Sequence, residues 1–201
     1  MDENPKINSV ALRGAAAGAP VFSHESRGER FFSFPLEVER LSGTTDRLNV
    51  IAREELLRQT PVTEHGKLGV RGELRSFNNR SGVGSRLVIS VFAREMAFED
   101  GEDENLAELT GTLCKPPNIR VTPMGREICD LMLAVNRRYG RSDYLPCIAW
   151  GLLARETAEW RVGDRLTLTG RVQSRRYIKV LSGEQVEKTA FEVSVTDAHR
   201  L

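Results

Sequence analysis

The chain has 201 residues, 40% of them apolar and 28% charged, a balance that excludes a disordered, collagen-like or disulfide-scaffold protein. Its three cysteines, Cys114, Cys129 and Cys147, form no C-x-x-C pair, so neither a bridge framework nor a structural zinc site is indicated. The net charge of +1 hides a pattern: residues 1–98 carry +2 and residues 105–201 carry +4, while Glu99–Glu104 holds five acids and no base.

In the first half, strongly apolar strands carry Phe31, Phe32 and Phe34 and, further on, Phe92, all expected in a core. Glu54–Thr60 has helical composition and Pro61 cuts it short. Gly82-Val-Gly84 is a hairpin turn. The acidic segment follows as a solvated linker whose six residues reach at most ~20 Å. Asn105–Gly111 is apolar with blurred alternation, as in the opening strand of a curved sheet. Pro116, Pro117 and Pro123-Met124-Gly125 mark turns. Glu127–Arg138 is an apolar strand and Asp143–Trp150 another. Leu152–Arg161 is helical, stopped by Gly163-Asp164. Leu166–Ser174 alternates with period two, and a hairpin centred on Ser182-Gly183 leads to Ala190–Val195.

Sliding the chain along itself by 97 residues superposes Asn8, Leu12 and Gly14 on Asn105, Leu109 and Gly111, and Arg40, Asp46 and Leu48 on Arg137, Asp143 and Leu145. Over positions 8–66 there are 17 identities, where ordinary composition supplies roughly four by chance. The chain is therefore a tandem repeat, divided as 1–98, an acidic linker at 99–104, and 105–201. Each copy has three strands, one short helix and two strands. That is the order of an OB-fold, so the predicted class is all-β: two tandem five-stranded Greek-key barrels.

The second copy carries Arg120-Val-Thr-Pro-Met-Gly125, Leu133-Ala-Val-Asn-Arg-Arg138 and Gly170-Arg-Val-Gln-Ser-Arg175, besides Asn105 and Gly111 with one residue more between them than the usual four. In this order the motifs resemble those of the bacterial single-stranded DNA-binding protein family, over essentially all of residues 105–201. The first copy resembles the family mainly through the second. Some members of that family carry two OB domains and dimerise to present four. The resemblance therefore implies a homodimer, with an internally paired monomer as the alternative.

The resemblance also implies base stacking on aromatics while basic groups follow the phosphates. Tyr144, Trp150 and Tyr177 take the aromatic positions, with Tyr139 in the preceding loop as a looser candidate. Tyr144, Ile148 and Trp150 share strand parity and hence one face. Arg137, Arg138, Arg175 and Arg176 flank the rings, and Arg120 and Arg40 (the first-copy counterpart of Arg137) complete the basic set. At the first-copy counterparts of Tyr144 and Trp150 stand Arg47 and Arg53, and Phe77 answers approximately to Tyr177. The bland alternative is that Trp150 belongs to the core and that the arginines are solvated surface.

No apolar run reaches the ~18 residues of a membrane span and no leader pattern opens the chain, so a cytoplasmic protein is expected. No nucleophile elbow, zinc-protease helix or Walker sequence occurs, so neither catalysis nor a cofactor or metal is expected. The chain stops at Asp197–Leu201 without the glycine-rich tail and acidic tip usual in the family, and recruitment of replication or repair enzymes through such a tip is not expected. The leading functional expectation is binding of single-stranded DNA with little sequence preference, in replication, recombination or repair. The alternatives are an OB-fold assembly protein of a primosome or mobile-element complex, and RNA as ligand.

Overall fold

The structure is a computed structural model that describes residues 8–79, 87–137, 140–181 and 183–201, less the side chains of residues 177, 179 and 181. The Gly82-Val-Gly84 turn and Ser182 of the second hairpin lie outside the described residues. Twelve strands and two helices are assigned among the described residues. They group into two compact units, one of Val10–Asn105 with Gln173–Phe191, the other built on Leu106–Val172 with Glu192–Leu201.

The first barrel uses β1 (Asn8–Ala16), β3 (Glu29–Glu39), β4 (Thr45–Arg53), α1 (Glu54–Gln59), β5 (Lys67–Asn78) and β6 (Leu87–Phe98). Strand β3 pairs antiparallel with β4, β4 parallel with β6, β6 antiparallel with β5, and β5 with β1, which returns to β3 and closes the ring. The second barrel repeats this with β7 (Glu104–Leu113), β9 (Glu127–Asn136), β10 (Ser142–Trp150), α2 (Gly151–Ala158), β11 (Arg165–Leu181) and β12 (Glu184–Arg200). Both are OB barrels. Their interiors are filled by repeat-related residues: Leu12 and Leu109, Leu36 and Leu133, Leu48 and Leu145 are all buried.

Each barrel has an additional strand that the sequence pattern does not reveal. These are β2 (Val21–Ser26), paired with β3, and β8 (Asn118–Val121), paired with β9. Both are exposed along their whole length, so neither shows alternation between core and solvent. Strands β11 and β12 run far beyond the predicted Leu166–Ser174 and Ala190–Val195, forming an arm that joins the first unit.

Closure of a small barrel forces backbones together. A Cβ on Gly72 would lie 2.1 Å from the Phe92 carbonyl oxygen, and one on Gly170 would lie 2.3 Å from that of Ser194. Only glycine allows these approaches. That explains why glycine stands at this point in both copies.

The acidic segment is not a free spacer. Arg13 donates from Nε to Glu99 at 3.1 Å and from Nη2 to Glu104 at 3.2 Å, Lys67 lies 2.9 Å from Asp103, and Asp103 accepts the Glu39 N–H at 2.7 Å. Cations on β1 and β5 attract the carboxylates, and part-exposed pairs in such a network hold a segment that isolated surface pairs would not.

The expectation that all four phenylalanines are core is also corrected. Phe34 is buried among the interior side chains. Phe31 is buried on the outward face beneath His24, and Phe32 and Phe92 are half-buried. On β3, Phe34, Leu36 and Val38 point inward, which leaves Phe31 and Ser33 on the opposite face.

Candidate nucleic-acid interface

Strand β10 alternates by parity, although Ile148 on the outward face is covered and only 4% exposed. Leu145, Cys147 and Ala149 point into the barrel, while Tyr144, Pro146, Ile148 and Trp150 face out. Tyr144 is 50% exposed and Trp150 37%. Six residue steps along the strand set these two positions about 20 Å apart. On the outward face Tyr144 pairs with Ala134, Pro146 with Met132, Ile148 with Asp130 and Trp150 with Ile128 on β9, so the floor between the rings is apolar except for the Asp130 carboxylate. Trp150 donates its Nε1–H to Ser194 Oγ on β12 at 3.1 Å, which ties one edge of the indole down and leaves a face open. Sequence alone does not single out Ile128, Met132 and Pro146; their only signal there is strand parity combined with a register that sequence does not reveal.

Arg120 on β8 pairs with Ile128, next across the sheet from Trp150. Its guanidinium grips Asp130 at 2.6 and 3.1 Å. That hydrogen bond, together with the charges of Asp130 and Glu192 and against desolvation, holds Arg120 above even the usual arginine range. Arg120 is a permanently charged group on the same face as Trp150, two strands away and held by Asp130.

Two other predicted arginines are committed elsewhere. Arg40 donates from Nε and Nη2 to the fully buried Asp46, at 2.6 and 2.5 Å. Arg137 does the same to the fully buried Asp143, with Nε to Oδ2 at 2.6 Å and Nη2 to Oδ1. Each pair locks the base of the hairpin between two barrel strands. The signal was present in the sequence: both Arg and Asp are repeat identities six residues apart.

The remaining predicted residues are dispersed. Arg47, paired with Glu37 at 2.9 Å, and Arg53, 3.5 Å from Glu29, lie on β4 of the first barrel. Phe77 is 40% exposed near the end of β5. Arg175 and Arg176 are exposed on the β11 arm, Arg176 lying 3.5 Å from Glu187. Tyr177 continues β11, with its side chain outside the description, and Arg138 and Tyr139 lie outside the described residues. The structure thus gathers Tyr144, Trp150 and Arg120 on one face of the second barrel and does not bring Arg40, Arg137 or Phe77 to it. Among the described residues there is no group of three or more His, Cys, Asp or Glu that could hold a metal, and no helix is long and apolar enough to cross a membrane.

The family model described as the single-strand binding protein family matches residues 104–201. Over 80 residues the chain is 34% identical to a single-stranded DNA-binding protein of Clostridium tetani, covering 36% of this chain and 55% of that relative. It is equally 34% identical over 80 residues to the single-stranded DNA-binding protein B of Bacillus subtilis, covering 71% of it. The chain thus matches about half the length of several of these curated relatives. The wild-type single-stranded DNA-binding protein of Thermus aquaticus superposes with a TM-score of 0.78 over 98% of this chain and 93% of its own. At 22% identity that is a likeness of fold, and it extends through both barrels. The motifs, the paired OB barrels and these relatives together place the chain in the single-strand binding protein family.

Proposed function

We propose that the chain binds single-stranded DNA without catalysis and with little sequence preference, in replication, recombination or repair. The observation that carries this reading is the pair of exposed rings, Tyr144 and Trp150, on one outward face of an OB barrel. Every base has a π-face, so stacking on such rings tolerates any sequence. Tyr177 is the third ring of the set and Tyr139 a fourth. Arg120, Arg138, Arg175 and Arg176 supply charge toward phosphate, with Arg47 and Arg53 on the first barrel. Arg40 and Arg137 serve the site through the hairpins they lock.

The functional division is 1–98, the acidic segment 99–104, and 105–201, and the working form is a cytoplasmic homodimer with four barrels. Names of the relatives support DNA as the ligand. The test is titration with oligo-dT of increasing length at several salt concentrations, with poly-U as competitor and light scattering for mass. Quenching of tryptophan fluorescence by dT, with affinity falling linearly in log–log salt, is the expected result. Absence of oligonucleotide binding at low salt would overturn the proposal, and preference for poly-U would change the ligand to RNA.

A further inference from the structure

Arg47 and Arg53 leave the first barrel without rings at the positions of Tyr144 and Trp150, yet its outward face is not without rings. Carrying the register across the repeat puts Phe31 at the place of Ile128, and Phe92 on β6 at the place of Ser194. The exposed imidazole of His24 lies flat on Phe31, with centroids 4.8 Å apart and planes 8° from parallel. Phe31 touches Phe92 at 5.6 Å. The exposed guanidinium of Arg94 lies over Phe92 at 4.9 Å from the ring centre. Two planar groups, an imidazole and a guanidinium, are thus each laid on a phenylalanine, and the two phenylalanines are in contact.

Both planes have a hydrogen-bonding partner within the chain, and for His24 it is Ser23, whose Oγ lies 3.0 Å from Nδ1. Glu73 accepts from Arg94 Nε at 3.3 Å and from Nη2 at 3.2 Å. A guanidinium on a ring is a favourable contact that keeps its outer face available for a second stack. Ser33, the next outward residue after Phe31 on β3, opens a groove of about 650 Å³ that is also lined by Asn49, Arg47 and, on the arm, Arg176 and Phe191. That volume falls in the range of sites that hold small ligands.

We infer that this face is a second site for unpaired bases, which extend the His24–Phe31 and Arg94–Phe92 stacks while the sugar–phosphate chain runs into the groove past Arg47 and Arg176. The inference rests on the reading of the chain as a single-strand binder. It moves the first barrel's stacking groups off β4, where the repeat would put them, onto β2, β3 and β6. Its ligand class is single-stranded nucleic acid. A protein docking on the same face is the outcome that would replace it.

The test compares the full chain with its His24→Ala/Arg94→Ala variant, leaving Tyr144 and Trp150 intact. Both substituted side chains are exposed, and a melting curve matching wild type verifies the fold. The probes are a labelled oligo-dT of roughly 30 nucleotides, enough for two barrels, and one of roughly 10. The double variant should lose at least about tenfold in affinity for the longer probe and occlude fewer nucleotides. The shorter probe should still quench Trp150. His24→Phe, which keeps a ring, should retain the affinity that His24→Ala loses. An iodouracil oligonucleotide should crosslink to peptides holding His24 or Phe92. Wild-type affinity and site length in the double variant, with crosslinks confined to the second barrel, overturn the inference and leave the proposed function standing. Failure of His24→Phe to restore binding overturns stacking as its basis. Failure of the wild-type chain to bind either probe overturns both readings.

Discussion

Trp150 offers the most direct test of the proposed interface. A base stacked on one aromatic ring is worth ~1–3 kcal/mol, so Trp150→Ala should weaken oligo-dT binding by about 5- to 150-fold. Trp150→Phe should separate stacking from anchoring. It keeps a ring but removes the 3.1 Å Nε1–H bond to Ser194, whose side chain is buried, at a cost of ~1 kcal/mol in stability and little in affinity. Affinity is measured by anisotropy of a labelled oligonucleotide, which needs no intrinsic reporter. Quenching supplies the second readout, because the chain has two tryptophans and the other, Trp160, is only 6% exposed. Quenching by dT should therefore vanish in Trp150→Ala. A variant with an unchanged melting curve that binds dT within twofold of wild type would refute the stacking role. Quenching that persists without Trp150 would refute the assignment of the face.

Three further outcomes follow from the geometry. Gly170→Ala forces a Cβ within 2.3 Å of the Ser194 carbonyl oxygen, and should cost about 1–3 kcal/mol or more in urea unfolding. Asp143→Ala strands Arg137 at the base of its hairpin. A loss of about 3 kcal/mol is expected, the low end for breaking a buried pair because Arg137 keeps some access to water, and calorimetry measures it. Burial, with the nearby Glu192 charge adding to it, pushes the Cys147 thiol well above its ordinary value of 9.0. Its folded-state value therefore stands above its unfolded one, so the stabilisation is complete below about pH 9 and declines as pH rises past it. At pH 8 a thiol reagent should leave Cys147 unmodified until the chain is unfolded.

Much of this architecture is legible in the sequence because its causes are local or repeated. The offset of 97 residues marks two copies, and alternation along Asp143–Trp150 marks which residues point out. The Arg–Asp spacing shared by residues 40 and 46 with 137 and 143 marks the hairpin locks, once its repetition is noticed. Strands β2 and β8 were not legible, because a fully exposed strand has no period-two burial and is held only by hydrogen bonds to its neighbour. The length of the β11–β12 arm was hidden for a related reason: the described side chains between residues 174 and 191 do not alternate between core and water.

What the sequence alone determined is therefore the duplicated barrel, its interior, and the parity that turns Tyr144 and Trp150 outward. Each of these follows from short-range patterning against one core. What only the tertiary structure decided is company between strands. Arg40 and Arg137 face buried carboxylates, the acidic segment lies against Arg13 and Lys67, and His24, Phe31 and Phe92 meet although they come from three strands. The reason is register: hydrogen-bonded pairing between distant segments chooses side-chain neighbours, and a sequence does not display that choice until the chain has closed into its barrels.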